Sequence, residues 1–152
     1  TKSIDLFKKD ILSKSDKVDL ITGDGGFDWT NENIQEQECT KLIFGQILTA
    51  INIQKKGGHF VLKVFETFTK ISCKFILLLK YFYDEIHIVK PFTSRESNSE
   101  KYIVCKNFKY EEKPFAPFLK QLMETLDELN RDKNYMIDIF PKLIKKIILI
   151  II

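Results

Sequence analysis

Three charged residues, far apart in the chain, each border an apolar stretch that reads as a strand. Asp24 follows the run Val18–Thr22 and is succeeded by Gly25 and Gly26. Lys63 lies within HFVLKVF (59–65), with Val61 and Phe65 on its own face of the strand. Glu100 stands immediately before KYIVCKNF (101–108). A lysine between two carboxylates is held in place by ion pairing while loss of water works against its charge. That balance decides whether it orients a hydroxyl or takes its proton. Such a trio suits activation of an alcohol for in-line attack on an electrophilic carbon, with alignment supplying much of the rate. Each residue also has a plainer reading: Asp24 as a turn residue before two glycines, Lys63 as a strand lysine reaching water, and Glu100 as half of a solvated pair with Lys101.

Whether the three meet depends on the elements that carry them. Apolar positions Ile4, Leu6, Phe7, Ile11 and Leu12 fall at helical intervals, and Val18–Thr22 reads as a short buried strand. A helix is expected from Asn33, capped by that residue with Glu36 reaching back, and stopped at Lys55–Gly57. Strands are predicted over 59–65, 85–91 and 101–108, a buried helix over 69–83, and an amphipathic helix over 118–130. Strands alternating with helices indicate an α/β fold with a mainly parallel sheet. The last two strands, having no helix between them, form an antiparallel pair at one edge. Ligands of open parallel sheets collect beyond the carboxyl ends of the strands. Asp24 and Lys63 lie at or near such ends, and Glu100 starts an antiparallel strand, so the rule sends all three to one rim.

The totals narrow the function classes. A chain of 152 residues, 44% hydrophobic and 30% charged, is composed like a globular domain, and its net charge of +3 permits an anionic partner without requiring one. Cys39, Cys73 and Cys105 show no CxxC spacing and are read as buried small hydrophobes of an intracellular protein, nuclear or cytoplasmic; no metal site is expected. The apolar run Ile147–Ile152 is too short to span a bilayer, so no membrane partner is expected.

Four blocks occur in order: DGGFDWTNENIQE (24–36), GGHFVLKVF (57–65), KPFTSR (90–95) and NSEKYIVCK (98–106). Together they resemble the FtsJ-like (RrmJ-type) 2′-O-ribose methyltransferases, and within these the branch acting on the first transcribed nucleotide of capped messenger RNA. The resemblance implies a Rossmann-like sheet that binds S-adenosylmethionine and a Lys-Asp-Lys-Glu catalytic tetrad, of which Asp24, Lys63 and Glu100 are matched here. It implies that the lysine activates the ribose 2′-hydroxyl and that Asp24 also lies near the cofactor. By the same resemblance Glu32 and Asn33 hold the methylated guanine of the cap, and Ser94, Arg95 and Ser97 line the RNA backbone. Ribosomal or transfer RNA remains the alternative substrate, and a non-catalytic RNA- or protein-binding module the alternative class.

The first tetrad lysine and the glycine-rich cofactor loop of the family find no counterpart. Residues 1–110 are accordingly expected to form the C-terminal half of a methyltransferase domain lacking its N-terminal strands, with 111–152 as a helical extension. The first strand then exposes an edge that a partner chain or self-association would complete, and weak cofactor binding is expected of this stretch alone.

Overall fold

A computed structural model describes residues 2–26 and 34–131, and the fold is that of these residues. In chain order they form α1 (Lys2–Lys14), β1 (Val18–Gly23), α2 (Gln35–Glu38), α3 (Thr40–Ile53), β2 (Gln54–Val64), α4 (Lys70–Phe82), β3 (Tyr83–Val89), β4 (Lys101–Phe108) and α5 (Glu112–Arg131). The four strands make one sheet in the order β1-β2-β4-β3. β1 is parallel to β2, and β4 is antiparallel to both β2 and β3. Three strands therefore point one way and the last strand opposes them, with the β3–β4 pair at one edge.

Alternation along the strands decides which face is covered. In β2, Phe60, Leu62 and Val64 are buried while Val61 and Lys63 between them keep some exposure; in β4, Ile103 and Cys105 are buried. The buried faces pack under α3 and α4, which contribute Phe44, Ile47, Leu48, Ile51, Phe75, Leu78 and Leu79 to the core. In α4 the buried positions Ile71, Phe75, Leu78, Leu79 and Phe82 recur at helical spacing, and Thr69 caps the first turn by accepting a bond from the Ser72 amide at 3.3 Å. At the end where β3 begins and β4 finishes, Phe82 stacks on Phe108 with ring centroids 5.8 Å apart, and Tyr83, Phe115 and Phe118 complete the cluster.

Several expectations are corrected. The helix predicted from Asn33 starts at Gln35, with Ile34 before it and no side-chain cap, and it breaks at Cys39 into α2 and α3. The Glu36 Oε1 oxygen goes to the start of α4, and Asn33 lies outside the described residues. Lys55–Gly57 do not end a helix but belong to β2, which begins at Gln54. The reason is tertiary. Gln54 is fully buried and donates to the carbonyls of Val18 and Asp19 at 3.0 and 3.2 Å, while the Tyr83 hydroxyl donates to its Oε1 at 2.9 Å. The strand then bulges, passing from Val18↔Gln54 to Leu20↔His59. Gly57 takes φ +82°, and a Cβ on Gly58 would lie 2.7 Å from the Asp19 carbonyl oxygen, so the bulge needs both glycines. Cys73 is exposed, whereas Cys39 and Cys105 are buried. α5 starts at Glu112, carries Pro117 inside it, and buries Phe115, Leu119, Leu122 and Leu126 in the core.

Candidate active site

The parallel pairing of β1 with β2 sets Gly23 beside Leu62, so that Asp24, the next residue of the chain, arrives at the level of Lys63. The Lys63 ammonium forms an ion pair with Asp24 Oδ1. The amine end is well covered, its side chain 17% exposed, while the carboxylate is 70% exposed. A sheltered amine is thus held by an acid that faces outward at the carboxyl rim. On the other side, Lys63 lies directly opposite Tyr102 of β4, and paired residues of antiparallel strands share a face.

Glu100 reaches the same neighbourhood through Tyr102. The Tyr102 hydroxyl donates to Glu100 Oε1 at 2.9 Å, and the Glu100 amide donates to Asn98 Oδ1 at 2.7 Å. Lys101, which a solvated Glu100–Lys101 pair would use, is instead 2.7 Å from Glu66 in the loop after β2. The hydrogen bond to Glu100 raises the Tyr102 hydroxyl above its ordinary value, with loss of water and the charges of Glu100 and Asp24 adding to it. The phenol consequently stays a donor, and both carboxylates act on it. Among the described residues, then, Asp24 meets Lys63 directly, and Glu100 joins them through a tyrosine. Sequence reasoning passed over Tyr102. Its signal was the two-residue period that puts it on Glu100's face of β4.

The other expected residues lie on the β3–β4 loop or outside the described residues. Ser94 is partly buried; its amide donates to the Pro91 carbonyl at 3.0 Å, and the Lys90 ammonium lies 3.4 Å from its Oγ. Arg95 and Ser97 are exposed, and the Asn98 amide closes a turn on the Arg95 carbonyl at 3.1 Å. Lys90 also donates to the carbonyls of Asn98 and Glu100, so one amine at the end of β3 gathers the loop around itself. Glu32 and Asn33 lie outside the described residues. The Gly25 amide donates to Gln46 Oε1 of α3 at 2.9 Å, and a Cβ on Gly25 would come within 3.1 Å of both Gln46 and Leu42. That glycine lets the backbone beside Asp24 seat against α3. Among the described residues no helix is long and apolar enough to cross a membrane.

A sheet of parallel strands with an antiparallel strand inserted next to the last, and charged groups gathered at its carboxyl rim, is the architecture of Rossmann-like methyltransferases. A solved structure described as a ribosomal RNA methyltransferase of Plasmodium falciparum shares this fold, with TM-score 0.53 and 21% identity over 70% of this chain and 54% of that one. Residues 1–108 match the FtsJ-like methyltransferase family, and the chain belongs to it. It is 40% identical over 99 residues to cap-specific mRNA (nucleoside-2′-O-)-methyltransferase 1 of Trypanosoma cruzi, covering 64% of this chain and 27% of that relative. It is also 40% identical over 144 residues to cap-specific mRNA (nucleoside-2′-O-)-methyltransferase 1A of Caenorhabditis briggsae, covering 90% of this chain and 16% of that one. The chain therefore spans about a quarter or less of the length of these relatives.

Proposed function

We propose that this chain carries the substrate-activating side of an S-adenosylmethionine-dependent RNA 2′-O-ribose methyltransferase that acts on capped messenger RNA. The observation that supports it best is the Asp24–Lys63 ion pair at the carboxyl rim of an FtsJ-like sheet, with Tyr102 and Glu100 beside it. The residues suit the cofactor's chemistry, because an outward-facing carboxylate at this rim can meet the ammonium of its methionine portion. When bound, S-adenosylmethionine supplies an electrophilic methyl carbon on sulfur.

In its neutral form, with its own proton released to solvent, Lys63 would orient the ribose 2′-hydroxyl for in-line attack and hold the proton that this oxygen gives up. Asp24 fixes the amine and keeps it from turning to solvent. Tyr102 holds the Glu100 carboxylate towards the same hydroxyl. Arg95, exposed on the loop gathered by Lys90, is placed to pair with a phosphate of the RNA, with Ser94 and Ser97 beside it. Glu32 and Asn33 are assigned to the methylated guanine by likeness to the cap-acting relatives. We assign residues 1–110 to the methyltransferase domain and 111–152 to a helical extension.

The deciding experiment compares methyl transfer to capped and uncapped transcripts of one sequence by the natural full-length protein. Transfer to the capped transcript at a clearly higher kcat/KM is expected; equal rates would remove the cap assignment and leave a general RNA methyltransferase. No transfer to either would remove the enzyme reading. β1 lies at a sheet edge, beside a groove lined by Phe7, Ile11, Leu20 and Ile21, and we assign that edge to pairing with further polypeptide. A monomeric sedimentation profile for this stretch alone, with no gain in thermal stability in the full-length protein, would count against it.

A further inference from the structure

Lys90 stands just past the end of β3, whose last residue, Val89, pairs with Tyr102 of β4. Pro91 follows it and lacks the amide that would let the strand run on. Lys90 is exposed, and an exposed lysine on a surface that meets RNA is usually read as a phosphate contact. Here its donors go to the protein instead. An ammonium has three N–H donors and no acceptor. Lys90 Nζ lies 3.4 Å from Ser94 Oγ, donates to the Glu100 carbonyl at 3.3 Å, and donates also to the Asn98 carbonyl. Each donor therefore has an acceptor between the end of β3 and the start of β4.

Those acceptors bear on one residue of the candidate site. Both backbone groups of Glu100 are held by the loop: its amide donates to Asn98 Oδ1 at 2.7 Å, and its carbonyl accepts from Lys90. Its carboxylate accepts from the Tyr102 hydroxyl at 2.9 Å, so Glu100 is fixed at the main chain and at the side chain. Asn98 ties back through its own amide to the Arg95 carbonyl at 3.1 Å, and the Ser94 amide to the Pro91 carbonyl at 3.0 Å. Lys90 is the common point from which both turns of the loop and the start of β4 are set. Lys101, the nearest cation along the chain to Glu100, is engaged with Glu66.

We propose that Lys90 is a positioning residue for methyl transfer: its ammonium sets the Glu100 main chain, and through it the carboxylate assigned to the ribose hydroxyl, rather than binding RNA phosphate itself. The inference rests on the RNA methyltransferase reading and adds a role to a side chain outside the reacting groups. The two uses of a lysine leave different marks. Loss of the clamp falls on turnover and passes through Glu100, whereas loss of a phosphate contact falls on RNA capture and on its salt dependence.

The test uses the natural full-length protein with Lys90→Met, which keeps the apolar stem and removes the donors, and Lys90→Arg, which restores donors. At saturating capped RNA, Lys90→Met should lower kcat about tenfold, the scale of one lost hydrogen bond to a charged group, with KM within about threefold of the parent. Cofactor affinity and Tm should stay near the parent's, and Lys90→Arg should recover most of the turnover. Single-turnover rates in a Glu100→Gln background complete the cycle. There the Lys90→Met loss should shrink to within about twofold, because a side chain acting through that carboxylate has nothing further to remove. A loss that persists in full beside Glu100→Gln, or that comes with a lowered Tm and no recovery by arginine, would make Lys90 a merely structural residue and overturn the proposal. Raised KM at unchanged kcat, with a shallower salt dependence, would make it a phosphate contact and overturn the proposal too, as would no change at all. If the parent methylates uncapped RNA equally, the cap reading fails and the same cycle is read on that RNA. A parent inactive on both removes the methyltransferase reading and this role with it, whereas an active parent indifferent to Lys90→Met removes this role alone.

Discussion

The two ends of the sheet are built on opposite principles. At the amino end of the parallel strands, Phe82, Tyr83, Phe108, Phe115 and Phe118 close the core ring against ring, and Tyr81 and Tyr110 stack at 5.4 Å on its border. At the carboxyl end, polar side chains cross-brace one loop to the next: Asp24 to Lys63, Tyr102 to Glu100, Lys101 to Glu66, Glu36 to Thr69, and Lys90 to the loop after β3. Close packing of rings is non-directional and fixes the fold. Hydrogen bonds fix direction at the rim, where a small misalignment of reacting groups is costly. Stability and chemistry should therefore separate under mutation.

The largest effect falls on the rim. Lys63→Ala should cut methyl transfer by about a hundredfold to ten-thousandfold, the range of general acid–base contributions, with cofactor affinity nearly unchanged. A variant that keeps most of its activity would refute the role given to that amine. The contrary substitution is Phe82→Ala, which empties a fully buried ring site and should cost about 3–5 kcal/mol of folding stability by denaturant titration. Should its folded fraction also lose turnover as Lys63→Ala does, the two ends would not be separable.

Tyr102→Phe takes the donor from Glu100 and leaves the ring. Turnover should fall about twofold to tenfold with the unfolding midpoint little changed, and a loss as deep as that of Lys63→Ala would make the tyrosine a reacting group. Smaller still is a pH effect in the core. Burial pushes the Cys39 and Cys105 thiols up from 9.0 to about 12, with the nearby charge of Glu36 adding to Cys39. The folded chain holds those protons more tightly than the unfolded one, so stability is complete below the ordinary thiol value and declines as pH rises towards about 12. Thermal unfolding followed across that window should show the decline, and replacing both cysteines by alanine should flatten it.

Much of the fold was legible because apolar spacing states its own period. The runs that became β1, α4, β3 and β4 were found within a few residues of their observed ends, and the direction of the last strand followed from the missing crossover helix. The helix after the Asp24 loop was misread in its start and its stop. Asn33 followed by Glu36 has the letters of a capping box, yet the helix begins at Gln35 after Ile34, and Glu36 Oε1 is engaged at the α4 N-terminus, 33 residues further along. Lys55–Gly57 look like a helix stop, but the buried Gln54 amide turns the chain into β2 before them. The start of α5 was placed too late because the signal used was amphipathic spacing from Phe118; Phe115, buried in the core, carries it a turn earlier despite Pro117.

By itself, the sequence determined which residue types were available for chemistry and which segments had to be buried, because side-chain character and hydrophobic period are local properties. It also settled kinship, since four separate blocks in a fixed order are not produced by composition. Only the tertiary structure decided that Lys63 takes Asp24 as its partner, that Glu100 is reached through Tyr102, and that Glu36 serves another helix. The physical reason is that strand register and the competition among distant donors for one carboxylate are set by the packed whole, and neither is written in any single stretch of the chain.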